Sequence, residues 1–458
     1  MPKSSNQDKQ KRLSAEFPVF TYEEFIYSLE PEGLKIKFHF TLGEPYHFYP
    51  TLFIPIPNRA FSDEILHSML PSLVFHIGMV ELISYWKLAC PPKVIIKPAT
   101  LNPEQVGWWK KLYYFGLGEF FYLNSIVTDE NSFMNIEARG EVFYPLASPD
   151  MNASAIIPVG GGKDSVVTLD LLRKYFDTMP MVLNTRGATS AVIEAAGFDR
   201  DKSLLITRTI DPLLIKLNAL GFLNGHTPFS ALLAFISVAA ALLTGRKYIV
   251  LSNEASANEP TIPGTGINHQ YSKSLEFEND FRSYVNKYII QSIEYFSFLR
   301  PLNELQIAWL FSRLPSYHRV FRSCNAGSNT DTWCGKCPKC LFTFIILSPF
   351  MGLENLATIF GKNMLEDATL AGILNQFTGA ADEKPFDCIG TIDEVNMALC
   401  ETIRNQDGSK LPLLLQNYLN SAEYGKYNDR NFIDSLQGYD TNNLPERFEN
   451  VLKAALHA

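Results

Sequence analysis

The sequence predicts an α/β protein whose central part is a parallel sheet with helices on both faces, preceded by an α+β region and followed by a helical one. Three observations support this. Short β-rich apolar runs alternate with helix-spaced segments between residues 154 and 340, the pattern of successive βαβ units. One strand-to-helix junction reads GGGKDS at 160–165, and open parallel sheets hold ligands at the carboxyl ends of their strands. The chain has 458 residues, more than one ordinary core accommodates, so two or three domains are expected. Boundaries near 150 and 345 give 1–150, 151–345 and 346–458.

Composition narrows the function classes. Hydrophobic residues make up 46% and charged residues 19%, an ordinary globular balance. A formal net charge of −8 weighs against a large nucleic-acid footprint, which needs clustered Lys and Arg. The opening MPKSSNQDKQKRLSAEF has no apolar core of a secretory signal, and the longest apolar run, 231–243, is too short to span a bilayer. A cytoplasmic protein with no membrane partner is the expectation. Oligomeric state is not written in the composition.

Taken in order, GLKIKFHFTL at 33–42 alternates as a half-buried strand does, and a helix is expected over about 71–87 with Pro71 at its first position. Residues 105–123 are dense in aromatics, among them Trp108, Trp109, Tyr113, Phe120 and Phe121, and read as core or domain interface. PLASP at 145–149 marks a boundary. Strands are expected at 155–159, 181–184, 203–207 and 248–252, and helices at 165–176, 189–196, 229–244 and 277–295. Beyond Cys340 the pattern is mostly helical, with a loop at 379–390.

The glycine loop points to an anion. Glycines let the backbone approach phosphate oxygens, and a helix N-terminus attracts negative charge. The Walker pattern fails because Asp164 separates Lys163 from Ser165, and the dinucleotide pattern fails because no glycine lies three positions after Gly162. The stretch instead resembles S-G-G-x-D-S, the PP-loop of ATP pyrophosphatases, with Gly160 where Ser is usual. That resemblance implies the PP-loop (adenine nucleotide alpha hydrolase-like) fold. It also implies cleavage of ATP between its α- and β-phosphates, with AMP passing to a substrate oxygen. Gly160, Gly161, Gly162 and Ser165 would bind the pyrophosphate portion, with Lys163 near the phosphates and Asp164 orienting the loop or approaching Mg²⁺. Asn184 and Asn253, at the ends of expected strands, complete the candidate nucleotide contacts.

Four of seven cysteines fall in CNAGSNTDTWCGKCPKC, spaced C-x₉-C-x₂-C-x₂-C. Cys324, Cys334, Cys337 and Cys340 suit a tetrahedral structural Zn²⁺, and an iron–sulfur cluster is satisfied by the same set. Cys90, Cys388 and Cys400 stand alone and read as packing residues.

Over 154–345 the order of glycine loop, apolar helix, acidic strand end, Pro-Leu segment and cysteines resembles 7-cyano-7-deazaguanine synthase. A nucleobase- or tRNA-modifying enzyme is therefore the alternative reading. A narrower resemblance covers nearly the whole chain. GGGKDS, LSNEASANEP at 251–260, NHQYSKSLE at 268–276, WCGKC and WWKKLYYFGLGEFFY at 108–122 are similar to the ATP-dependent epimerases of UDP-N-acetyl-α-D-muramoyl-L-alanyl-L-glutamate, the MurL family. The resemblance implies a UDP-MurNAc-dipeptide substrate, ATP with Mg²⁺, and inversion of the terminal L-Glu to D-Glu in peptidoglycan precursor synthesis. Lys163 and Asp164 would serve the ATP step. His226, His269, Glu254, Glu259 and Cys388 are the acid–base candidates at Cα, Glu254 alternatively holding Mg²⁺. Lys273 and Arg282 are candidates for neutralising substrate phosphates or carboxylates, or are simply solvated.

Overall fold

The computed structural model describes residues 4–56, 60–146, 149–262, 267–327, 330–381, 384–406 and 410–457. The boundary expected at 145–149 falls partly outside these, at 147 and 148. The protein is α/β. The described residues include strands β1 (Val19–Glu30), β2 (Gly33–Leu42), β3 (Tyr46–Phe48), β4 (Thr51–Pro55), β5 (Lys93–Ile96), β6 (Asn135–Ala138), β7 (Asn152–Pro158), β8 (Thr178–Leu183), β9 (Leu204–Thr209), β10 (Arg246–Leu251) and β11 (Glu294–Ser297).

The residues gather into two compact units that interleave along the chain. Unit 1 comprises 1–156, 204–249 and 266–295, and unit 2 comprises 157–203, 250–265 and 296–458. These are not consecutive stretches like 1–150, 151–345 and 346–458. The reason is strand pairing: β9 lies antiparallel to β4, with Leu52 opposite Arg208, which collects residues 204–249 with the N-terminal part.

In unit 1 the strand order is β9-β4-β2-β1-β5-β6, with β3 paired to β2. The sheet is mixed, not wholly parallel. β1 and β2 form a long antiparallel hairpin from Phe20 opposite Leu42 to Glu30 opposite Gly33, while β1–β5 and β5–β6 are parallel. Along β2 the expected alternation holds: Ile36, Phe38, Phe40 and Leu42 are buried and Lys35 and Lys37 exposed. β7 and β10 are parallel, with Ile249 opposite Ile156.

The helix expected from Pro71 begins earlier, at Asp63, and runs to Glu81 with Pro71 inside it. Its start is set by chemistry upstream of the proline. Ser62 caps it through Oγ, accepting from the Ile65 N–H, and Asp63 and Glu64 in the first turn oppose the helix dipole. The helix Phe229–Leu243, apolar nearly all round, packs against it. The segment 63–86 is long and apolar enough to cross a membrane by length and composition, and 78% of its apolar window is buried inside the fold.

The aromatic stretch 105–123 is largely core, as read. A capping box, Asn102 with Gln105, and Pro103 at the first turn start the helix Pro103–Gly116. Trp109 and Tyr113 are buried with their polar tips satisfied, Trp109 Nε1 donating to Tyr284 Oη at 3.0 Å and Tyr113 Oη to the Met79 carbonyl at 2.6 Å. The helix expected over 277–295 is shorter, Leu275–Tyr288 with Ser274 as its cap, and the chain then extends into β11. Beyond Ser297 the described residues form helices and no strands.

One ion pair fixes the interleaving of unit 1. Arg208 of β9 grips Glu81 in fork geometry, at 2.8 Å and 2.7 Å, with the carboxylate side chain only 3% exposed. Arg208→Ala strands that carboxylate and is expected to cost about 3–5 kcal/mol, read as a lowered urea midpoint with unchanged slope.

Candidate active site

β7 ends at Pro158 and the chain passes through 159–162 into the helix Lys163–Leu172. Gly162 is the N-cap and supplies no side-chain cap to the first turn. Gly161 has φ +87°, a conformation glycine adopts freely, and a Cβ on Gly162 would stand 2.8 Å from Ser323 Oγ. Gly160 differs: nothing lies within 4 Å of where a Cβ would be, so a serine would fit there. Ser165 Oγ donates to the Gly162 carbonyl at 3.0 Å and ties the loop to the first turn.

Lys163 was expected near phosphates. The structure turns its ammonium inward, 2% exposed, where it donates to the carboxylates of Asp164 and Glu304. Burial alone would lower this ammonium, but the two carboxylates hold it above the ordinary lysine range. Glu304 opens the helix Glu304–Ser312, started by an Asn303–Gln306 capping box. Its carboxyl is pushed well above the usual carboxylate range by burial, with the negative charges of Asp164 and Glu254 adding to the effect and Lys163 opposing it. Glu254 is 5% exposed, and its backbone carbonyl accepts from Arg300 Nη1 at 2.7 Å. Glu394 accepts the Glu304 N–H at 2.6 Å. Asp164 and Glu304 thus meet the ammonium beside the loop, and the charge of Glu254 acts on Glu304.

The cysteine segment closes over the same loop. The sulfurs of Cys324, Cys334, Cys337 and Cys340 all lie within 4.8 Å of one another, with Cys324–Cys337 at 3.9 Å and Cys334–Cys340 at 3.8 Å. A single tetrahedral ion with metal–sulfur bonds of about 2.3 Å sets sulfurs about 3.8 Å apart, so the tetrad fits one ion. Backbone N–H groups of Gly327 and Cys334 donate to Cys324 Sγ at 3.0 Å and 3.4 Å, the kind of support a thiolate ligand receives. The Arg322 N–H donates to the Gly161 carbonyl at 2.8 Å. Asp331 caps the helix Gly187–Ala195 by accepting from Gly187 and Ala188 N–H at 2.8 Å and 3.0 Å.

Other expected residues in unit 2 have local roles. Asn184 follows β8 in a left-handed conformation, φ 57°, and Asn253 Nδ2 donates to Ser297 Oγ at 3.0 Å. Glu259 pairs with Lys384, and the Cys388 carbonyl accepts from Lys339.

His226 and His269, by contrast, come together within unit 1. Their ring centroids are 4.5 Å apart at 50°. Glu119, from the helix Gly118–Leu123, meets both: its Oε2 accepts from His269 Nδ1 and lies 3.6 Å from His226 Nδ1. The donor atoms of the three residues fall within 4.8 Å of one another, a spacing a metal ion also uses. The surrounding charge opposes that use. Burial first, then His269, Lys87 and Lys273, push the His226 imidazole down to about 4 against the pull of Glu119. Lys87 donates to the Gly225 carbonyl, and burial holds its ammonium down at about 8. Arg282 is occupied with the Tyr295 carbonyl at 2.6 Å. A cavity of about 610 Å³, lined by Tyr114, Phe115, Phe121, Tyr122 and Ile267, has Gly118, next to Glu119, in its wall.

Residues 11–298 match the family model of the MurL N-terminal domain, and 318–430 that of the MurL C-terminal domain. The chain belongs to the MurL family. A protein of Salinispora tropica named UDP-N-acetyl-alpha-D-muramoyl-L-alanyl-L-glutamate epimerase is 35% identical over 392 residues, 83% of this chain and 84% of the relative. Proteins of the same name from Xanthomonas oryzae pv. oryzae and a Micromonospora species are 36% and 34% identical, over 70% and 81% of this chain and 72% and 84% of their own lengths. No solved structure matches.

In this MurL chain Glu119, Glu304 and Asp331 are not legible as site residues from the sequence. Glu119 lies inside an aromatic stretch, and Glu304 and Asp331 carry no motif of their own. An acidic residue flanked by glycine and aromatics, GEFF, was the one available signal.

The neutral imidazoles have a pH consequence. His226 and the buried His76, which burial also lowers to about 4, titrate near 6.5 once unfolded. The unfolded chain therefore binds more protons below that value. This stability is complete above about pH 7 and is lost as pH falls from about 6.5 towards 4. Each imidazole accounts for about 2 kcal/mol between pH 7.5 and 5. Urea unfolding at both pH values, with His226→Asn beside the parent, should show the parent losing more stability by that amount.

Proposed function

We propose that this chain inverts the terminal L-Glu of UDP-N-acetyl-α-D-muramoyl-L-alanyl-L-glutamate, first activating the carboxylate next to Cα as its AMP ester. The observation that carries this reading is the glycine loop. It sits at a helix N-terminus with no side-chain cap, backed by the Lys163–Asp164–Glu304 cluster, in a chain of the MurL family. The relatives' names supply the substrate.

The chemistry explains why ATP would be needed. Removing the Cα proton beside a free carboxylate builds a near-dianion. Esterification with AMP removes that charge: a carboxylate oxygen forms a bond to the α-phosphorus, and pyrophosphate leaves. A neutral imidazole then suffices as base. Reprotonation from the other face and hydrolysis return the carboxylate and AMP. Inversion alone approaches an even mixture, so selective hydrolysis of one adenylate sets the product.

The roles follow from the positions. Backbone N–H groups at 161–165 receive phosphate oxygens, with Ser165 and Asn184 at the rim. Lys163, held by Glu304, fixes the first turn. Asp164 and Glu254 would hold Mg²⁺, which shields phosphate charge. The four cysteines would hold one structural Zn²⁺, their sulfur spacing being that of a single ion. Seven cysteines without a disulfide among the described residues suit a reducing cytoplasm.

Incubation of the protein with ATP and the UDP-muramoyl dipeptide should yield AMP and pyrophosphate. Asp164→Ala is expected to slow this ~10²–10³-fold with the fold intact, the range for loss of one electrostatic contact. ADP and phosphate as products would overturn the activation step, and AMP formed with a nucleobase substrate instead would favour the modifying-enzyme alternative.

Metal analysis should find one zinc per chain. Cys337→Ser should release it and lower the melting temperature, since structural metal binding is folding free energy. Because Arg322 and Asp331 bear on the glycine loop, nucleotide binding should weaken with it. Iron with a visible chromophore would remove the zinc assignment.

A further inference from the structure

Inversion through a Cα carbanion requires proton transfer on both faces of one carbon. The chain brings two histidines into contact, and their geometry decides whether they serve opposite faces. Groups that exchange protons with a carbon sit about 3–3.5 Å from it, so two on opposite faces stand about 6–7 Å apart across it. The rings of His226 and His269 lie against each other, with centroids 4.5 Å apart, and both turn Nδ1 to one oxygen of Glu119. The two rings are gathered on one carboxylate and do not flank a gap.

We propose that Glu119, His226 and His269 form a proton-transfer site serving a single face of the glutamyl Cα, with His269 carrying the proton and Glu119 positioning it. This rests on the epimerase reading above. A carboxylate oxygen can only accept, so the His269 Nδ1 bonded to it bears the hydrogen and Nε2 is the basic nitrogen. In the forward sense Nε2 takes the Cα proton, and the C–H electron pair moves into the acyl group of the adenylate. In the reverse sense the imidazolium returns a proton to the same face. The opposite face is served by a different acid that exchanges with water.

The surrounding charge favours proton work over metal binding. Lys87 and Lys273 act on the His226 imidazole and supply positive charge that suits an anionic substrate and repels a cation. The aromatic cavity of the same unit has Gly118, the residue before Glu119, in its wall.

The test supplies the L-epimer with ATP in D₂O to the full chain and to His226→Asn, His269→Asn, Glu119→Gln and Glu119→Asp. It reads pyrophosphate, AMP, and deuterium at Cα in both the recovered L-epimer and the D-product. Circular dichroism confirms that each variant is folded. His269→Asn should keep forming pyrophosphate while labelling falls ~10²–10⁴-fold, the range for loss of an acid–base group. If the site faces the L-epimer, label disappears from both epimers. If it faces the D-epimer, label disappears from the product alone. Any loss in His226→Asn must follow the same pattern as in His269→Asn. Glu119→Gln should lower labelling with pyrophosphate formation persisting, and Glu119→Asp should recover part of it. That split is one a merely structural carboxylate would not produce.

Opposite patterns in the two histidine variants would place them on opposite faces and overturn the proposal. So would wild-type labelling in both, or a second zinc in the parent that is lost in His269→Asn. A parent that inverts glutamate without making AMP would fail the activation reading, while the labelling patterns still decide the single-face proposal.

Discussion

An ammonium group buried to 2% exposure persists only where carboxylates meet it, and much of unit 2 is arranged to meet Lys163. Glu304 reaches it from the first residue of its helix, and Glu394 holds the Glu304 backbone N–H. Glu394 is itself the closing member of the Thr391 capping box that starts the helix Ile392–Arg404. The charge under the glycine loop is thus braced by a helix start 141 residues away and a cap ninety residues beyond that. The helical C-terminal region completes the loop's electrostatics.

The cysteine segment adds the second brace. Its sulfurs define a point, and the residues on either side of that point press on the anion site. Ser323 leaves no room for a side chain at 162, Arg322 binds the Gly161 carbonyl, and Asp331 caps the neighbouring helix at 187–188. A loop of three glycines has high conformational entropy, and something outside it must restrict it. In this chain the restricting segment is the one whose own shape a metal ion would fix. On the proposed reading the tetrad would act on nucleotide binding through the loop and not through the chemistry.

What could be read from the sequence was what is local. The glycine run, the cysteine spacing and the alternation of 33–42 each concern nearby positions, and the alternation has its expected form. The interleaving of the units was not legible, because it depends on β9 pairing with β4. Pro71 misled because its φ suits a first turn, whereas Ser62 and the acids after it set the true start. Glu119 and Glu304 escaped for a shared reason: their partners lie 150 and 141 residues away. His226 and His269 were named singly, as residue types with a suitable pKa. Only the fold shows that they share one carboxylate oxygen.

The two units address one electrostatic difficulty by opposite means. A carbanion next to a carboxylate is a problem of excess negative charge. On the proposed reading unit 2 would answer with backbone N–H groups and a charge cluster that attach AMP, which would turn the carboxylate into a neutral acyl group. Unit 1 holds the histidine pair, of which His226 is kept neutral chiefly by burial. In the proposed reaction the histidine pair would act on a carbon acid made stronger by activation, so the pair and the glycine loop would serve one requirement.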